Sequence, residues 1–252
     1  MNIRMKENRF VIIIPSYNNK PWCRKTLLSV LNQQYSNFRV IYTDDCSTDG
    51  TSEEVKDIIA KFDKNKKISL VTNKERLKTM ENTYNMVHSC EDNEIIVLLD
   101  GDDWFPHSKV LERLNKEYNK GVWMTYGQYQ SFPDGGLGCS RQIPENVIKT
   151  NSFRKFRWCS SHLRTYYAWL FKKIKKEDLM HNNKFLEMTA DLAAMFPMLE
   201  MAGYKQSFIP DILYIYNCSS PINDFKININ LQQEMERKIR AIQPYQCILK
   251  DI

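Results

Sequence analysis

Three carboxylates crowd the end of an apolar run: "IIVLLDGDDW" (95–104) places Asp100, Asp102 and Asp103 directly after five aliphatic residues. Negative charges at that density repel one another unless a cation neutralises them. Oxygen-only ligands suit Mg2+ or Mn2+, which bind through one or two carboxylates and take phosphate oxygens as further ligands. Asp-Gly between apolar residues is also a hairpin signal. The continuation "DDWFPHSK" (102–109) does not return as a strand, so the pattern favours a metal site on Asp102 and Asp103, with Asp100 beside it.

A second acidic cluster, "YTDDCSTDGTSEEV" (42–55), lies between an apolar run and a helical pattern. Ser47, Asp49 and Thr51 read as turn and helix-capping residues, because short polar side chains satisfy free backbone N–H groups there. Asp44 and Asp45 are left over. A carboxylate at this place could accept an N–H from a ligand such as a nucleobase imide, with Tyr17 of "PSYNN" (15–19) offering a ring for stacking. Taken alone, Tyr17 would read as packing.

The elements that must position these groups alternate. "RFVIIIP" (9–15) is a short, β-branched, wholly buried type of strand. Further strands are expected at 38–43, 68–72 and 94–100, and helices at 22–34, 51–62 and 77–89, with Thr51 and Glu54 as a capping box. Strand and helix in repeated alternation predict an α/β fold with a mainly parallel sheet and right-handed crossovers. Such sheets bind ligands beyond the carboxyl ends of their strands. "PSYNN", "DDCSTDGT", "TNKERLK" and "DGDDW" each follow a strand, which places them along one edge. After Trp104 the pattern weakens to a helix at 108–119, a strand at 122–130 and a glycine-rich loop at 131–140. A helix at 189–203 with Pro197 as a possible kink, a strand at 212–217 and a polar helix at 229–243 complete it. Residues 1–130 are expected to form one α/β half, and residues 131–252 a smaller half of the same domain that ends in a C-terminal helix.

Composition narrows the setting. The 252 residues, 42% of them apolar, are enough for one large core. Mean hydropathy is −0.52 and no run approaches the ~20 apolar residues of a membrane span. "MNIRMKENRF" has charges where a signal peptide needs an apolar region, so a cytoplasmic protein is expected. Seven scattered cysteines without a C-x-x-C pair fit free thiols. The net charge of +6 is uneven: ten Lys/Arg lie between Lys149 and Lys184 against two acids. A solvated face and a surface for phosphate or acidic acceptors are equally compatible with that run. No nucleic-acid recognition pattern is present.

In order and spacing, "VIIIPSYNN", "VIYTDDCSTDGT", "IIVLLDGDDW" and "TADLAAMFPMLEMAGYK" resemble family 2 of the nucleotide-sugar glycosyltransferases, with the GT-A fold. The resemblance covers residues 9–130 well and 186–217 more loosely, and it implies that residues 1–130 are the nucleotide-sugar-binding half and residues 131–252 the acceptor-binding and catalytic-base half. It implies that Pro15 and Tyr17 form the base-binding lip and that Asp45, beside Asp44, meets the nucleobase. It also implies that Asp102, with Asp100 and Asp103, holds the donor diphosphate through Mn2+ or Mg2+. Asp191 takes the place of the family's catalytic base, with Glu187 as the nearest substitute. An acid in the first turn of a helix is favourable against the macrodipole without any catalysis. Its neighbourhood, Thr189-Ala190 before "LAAMF", could instead bury Asp191 and raise its pKa toward that of a useful base.

Two departures stand out. The family's Asn-x-Gly…Arg-Asn segment is "NKERLKTMEN" (73–82) here, which shifts phosphate contact to Arg76 or Lys78. "LYIYNCSSPIND" (213–224) lacks the family's late His, so His162 could contribute to a metal instead. Tyr166, Tyr167 and Trp169 are compatible with sugar stacking or with core packing. The resemblance implies an inverting, metal-dependent transfer from a nucleotide-diphosphate sugar, UDP-linked for preference, to a hydroxyl of a glycan, lipid-linked or protein acceptor. The alternatives are a non-catalytic nucleotide-sugar-binding module and a nucleotidyltransferase. The second would need a glycine-rich loop after the first strand, where "PSYNNKPW" has none.

Overall fold

The computed structural model describes residues 6–219 and 229–248; the end of the 213–224 segment lies outside them. The first half follows the expected alternation. β1 (Phe10–Ser16), α1 (Lys20–Leu31), β2 (Phe38–Asp44), α2 (Thr51–Phe62), β3 (Ile68–Thr72), α3 (Lys78–His88) and β4 (Ile95–Leu98) run in order. β1 pairs in parallel with both β2 and β4, so every residue of it is buried. Its side chains alternate between two cores: Phe10, Ile12 and Ile14 meet α1, α2 and the later helix α4 (Val110–Tyr118), whereas Val11 and Ile13 face the α3 side. That period of two is what a β-branched strand between two helical layers requires.

The second half completes the same sheet. β5 (Met124–Phe132) pairs antiparallel with β6 (Arg164–Tyr167), which itself pairs antiparallel with β4, and β9 (Gln206–Asn217) pairs in parallel with β5. The order across the seven strands is β3-β2-β1-β4-β6-β5-β9. A two-stranded piece, β7 (Met180–His181) and β8 (Lys184–Phe185), stands apart. α5 (Glu145–Lys149), α6 (Ala168–Lys172), α7 (Ala190–Ala202) and α8 (Ile229–Ala241) join α3 over one face. α7 continues through Pro197 and ends at Gly203, whose φ of +52° suits a residue without Cβ.

Several local expectations differ from the structure. α1 ends at Leu31 rather than 34, and β9 begins six residues earlier than 212. The capping box at Thr51 is replaced by another device. Gly50 turns with φ +86°, and the Asp49 carboxylate accepts the Thr51 N–H at 3.0 Å and its hydroxyl. β6 and α6 fall in the aromatic, lysine-rich stretch 162–179, whose mixed pattern shows neither period clearly. Among the described residues no helix is long and apolar enough to cross a membrane.

Candidate active site

The carboxyl ends of β1, β2 and β4, the start of β6, the end of β9 and the N-terminus of α7 surround one cleft of about 480 Å3. Pro15, Tyr17, Asp45, Arg76, Lys78, Asp100, Asp102, Asp103 and Asp191 all line it. Asp44 does not, since the alternation of β2 turns it away from Asp45. One of its carboxylate oxygens is buried without a hydrogen-bond partner.

The loop after β2 is a brace. Asn18 N–H donates to Ser47 Oγ (2.8 Å), Thr48 N–H to Asn18 Oδ1 (2.9 Å) and Lys20 N–H to Asp49 Oδ2 (3.0 Å). These bonds stitch the loop to the segment after β1 and satisfy backbone donors at the start of α1. Asp45, buried, accepts three bonds of 2.8 Å: Asn73 Nδ2 and Leu77 N–H on Oδ1, and Lys78 N–H on Oδ2. Asp45 thus holds the 73–78 loop against the cleft. Arg76 consequently lies with its guanidinium 3.7 Å from the Tyr17 ring centre, a cation–π contact on the ring expected to stack a base. Lys78 pairs with Glu187, whose carboxylate is held below its ordinary pKa mainly by that hydrogen bond.

The 100–103 loop is fixed from two sides. A Cβ on Gly101 would stand 2.6 Å from Ser16 Cβ and 2.7 Å from Asn19 Nδ2, so only glycine allows this approach to β1. Thr26 Oγ1 of α1 sits 3.1 Å from Gly101 O and 2.7 Å from Asp103 O. From the other side, Trp104 bridges to Ile215 of β9. Asp103 is buried, accepting the Tyr214 hydroxyl and, at 2.7 Å, the Asn217 N–H. Burial first, then the charges of Asp102 and Asp100, raise its pKa well above the ordinary range. Asp103 is therefore occupied in joining the loop to β9, while Asp100 and Asp102 border the open cleft with it.

Among the described residues no three His, Cys, Asp or Glu side chains come together as a ready metal cage. The donor chemistry still fits a hard cation of the Mg2+ type, which needs only one or two carboxylates when phosphate oxygens fill the remaining positions. Asp102, with Asp100 across the loop, would supply those carboxylates. His162 stacks on Tyr214 (4.3 Å between rings) and Tyr216, and its pKa is depressed well below normal, mainly by burial and further by Arg164.

Asp191 opens α7 after Thr189, which adopts φ +57°. Its side chain is 31% exposed toward the cleft. Burial raises its pKa, and the Arg164 guanidinium, with Nη1 3.8 Å from Asp191 Oδ2, opposes that rise. By residue type Arg164 is one member of the basic run 149–184. Its distinguishing signal was position: a lone charge in "SSHLRTYYAWL", otherwise apolar or neutral. The aromatic residues after it serve mostly as core: Tyr167 packs edge-on against Tyr118 and Trp169 against Trp123, while buried Tyr166 reaches the cleft wall.

Solved structures share this architecture. The chain is similar to Staphylococcus aureus TarS residues 1–349 in complex with UDP-GlcNAc, with TM-score 0.63 and 17% identity over 84% of this chain and 59% of that one. It is equally similar to the mannosyltransferase PcManGT of Pyrobaculum calidifontis in complex with GDP-Man and Mn2+, with TM-score 0.62, 18% identity and coverage of 95% and 66%. At these identities the likeness concerns the fold, which is of the GT-A type. The sequence model of glycosyl transferase family 2 matches residues 11–183, and the chain belongs to that family. A Haemophilus influenzae glycosyltransferase is 33% identical over 121 residues, 47% of this chain and 46% of that protein. An Escherichia coli relative, UDP-Glc:alpha-D-GlcNAc-diphosphoundecaprenol beta-1,3-glucosyltransferase WfgD, is 24% identical over 180 residues, 63% of this chain and 67% of that one. Matches span less than half of the Haemophilus protein and smaller shares of two other relatives, 18% and 26%.

Proposed function

We propose that this chain is an inverting, metal-dependent glycosyltransferase that takes a sugar from a nucleotide-diphosphate donor, UDP-linked for preference, and delivers it to an acceptor hydroxyl. The observation that carries this reading is convergence: Asp45, Asp100 with Asp102, and Asp191 come from three separate segments and border one cleft. Family membership and relatives named for UDP-glucose or bound to UDP-GlcNAc support the donor class. The nucleobase would lie at Tyr17 and the Asp45 loop, the diphosphate near Asp100, Asp102, Arg76 and Lys78.

Asp191 would take the proton of the acceptor hydroxyl. The acceptor oxygen then bonds to the anomeric carbon on the face opposite the diphosphate, as the bond from that carbon to the phosphate oxygen breaks. A bound divalent ion supplies several kcal/mol of stabilisation to the charge that gathers on the leaving diphosphate. With Asp191 as the base and the acceptor oxygen as the attacking atom the step is a single displacement, which is why the reading is inverting. The acceptor is a glycan, a lipid-linked sugar or a protein, the second suggested by the diphosphoundecaprenol in the WfgD name. Seven cysteines, all free, agree with a cytoplasmic, reducing setting.

A melting-temperature screen of UDP-, GDP- and dTDP-sugars with and without Mn2+ tests the donor. One nucleotide should stabilise the protein, only with metal, by about 2.7 kcal/mol at a hundredfold excess over Kd. Asp191→Asn should keep that stabilisation and lose about 10²–10⁴-fold in transfer rate. Wild-type transfer by the variant would place the base elsewhere, and donor binding without turnover by the intact protein would favour a binding module.

A further inference from the structure

Two buried arginines of this chain are used in opposite ways. Each nitrogen of the Arg154 guanidinium has a partner: its Nε and Nη2 reach the Glu200 carboxylate at 2.6 and 3.0 Å, and its Nη1 donates to Ile239 O at 2.6 Å. A structural arginine is expected to look like that, because an unpaired buried donor is costly. Arg164 is buried too, yet its Nε has no hydrogen-bond partner. Its Nη2 donates to His162 Nδ1 at 3.2 Å and lies 3.7 Å from Asp100 Oδ2, while Nη1 lies 3.8 Å from Asp191 Oδ2.

Those two distances exceed hydrogen-bond length. The guanidinium therefore compensates the charge of both carboxylates without occupying their lone pairs. A base needs a free lone pair for the proton it removes, and a carboxylate that accepts three hydrogen bonds, as Glu200 does, has little acceptor capacity left for it. The backbone enforces the arrangement, since Arg164 stands opposite Leu98 on β4, two residues before Asp100. His162, stacked on Tyr214 and Tyr216, accepts from Arg164 and limits its swing toward either acid.

We propose that Arg164 is a positioning residue for the transfer, holding the Asp191 carboxylate charged and aimed across the cleft without itself taking up a lone pair of it, and linking it to Asp100 on the donor side. The proposal rests on the reading of Asp191 as the base. Besides Arg164, Asp100 is the charged side chain that bears most on Asp191, and Lys78, Glu187, His162 and Tyr166 line the same cleft.

The test uses the full chain with Arg164→Gln, Arg164→Lys and Asp191→Asn. Carbon-detected NMR titration of the Asp191 carboxyl, assigned by its loss in D191N, needs no ligand. R164Q should move that titration upward by one pH unit or more, and R164K should stay near wild type. Hydrolysis of UDP-glucose with Mn2+ should show kcat lowered at least tenfold in R164Q with KM changed less than threefold, and partial rescue in R164K. An unmoved Asp191 titration in a folded R164Q overturns the proposal, as does a tenfold rise in donor KM with kcat kept. If R164Q does not fold, R164K decides: a titration displaced despite the retained charge sinks the idea. Undiminished turnover in D191N would defeat the reading of the base, and the titration would still report the coupling by itself.

Discussion

On the wall formed by the ends of β1, β2 and β4, polar side chains are committed to the backbone of neighbouring loops. On the wall formed by β6 and α7, Arg164 faces Asp191 across a gap of 3.8 Å and reaches over to Asp100 of the first wall at 3.7 Å. The first wall is a set of stitched turns: Ser47 and Asp49 hold the segment after β1, Asp45 holds residues 73–78, and Thr26 holds the 100–103 loop. The second depends on elements far apart in the chain, with α7 and α8 fastened behind it by the Arg154–Glu200 pair. A rigid, backbone-built wall suits a ligand whose shape is constant, such as a nucleotide diphosphate. A wall of loosely coupled charges suits a proton transfer.

The sharpest way to break the second wall alone lies outside the cleft. Arg154→Met would leave Glu200 buried without its partner, and unfolding free energy in a denaturant titration should fall by about 3–5 kcal/mol. Replacing both residues with apolar ones of similar volume should recover most of that loss, which would show that the pair is a fastening and not a source of net stability. A smaller effect is expected on the first wall from Gly101→Ala. The new methyl would enter the space of Ser16 and Asn19, costing about 1–3 kcal/mol and weakening nucleotide binding in the same melting screen. Unchanged binding would mean that the 100–103 loop tolerates displacement and that the rigidity contrast is overstated.

The smallest effect concerns the opposite end of the sheet, where Glu94 serves as a control remote from both walls. Burial pushes the Glu94 carboxyl up, but the two hydrogen bonds from Arg39, with Arg9 nearby, outweigh it and hold its pKa below the ordinary value. A depressed carboxylate stabilises the fold above its unfolded pKa, and that contribution is lost as pH falls through the folded value. Glu94→Gln should therefore cost about 1 kcal/mol at neutral pH and progressively less in acid, with activity per folded molecule unchanged. An equal deficit at all pH values would mean that the pair contributes through packing alone.

Legibility follows the same division. β1 to β4 and their helices were readable because each is a short segment whose period and composition suffice, and because turn chemistry at Asp49 or Gly101 acts within a few residues. Asp45, Asp100, Asp102 and Asp191 were readable as residue types in spaced motifs, although the threefold engagement of Asp45 with the 73–78 loop was not. Asp44 was indistinguishable from Asp45 by type, and the alternation of β2 separated them. β6 is not legible because four residues flanked by aromatics and lysines show no period, and its arginine is one of ten basic residues between Lys149 and Lys184.

The sequence by itself determined the parallel half of the sheet, the family and the acids that follow its strands, because hydrophobic period and motif spacing are local properties of the chain. Only the tertiary structure decided that Asp103 would be consumed by β9, that Asp44 would turn away, and that Arg164 would stand between Asp100 and Asp191. Those outcomes depend on pairings between segments as much as 114 residues apart, and burial and charge at such a place are set by whatever the fold brings there.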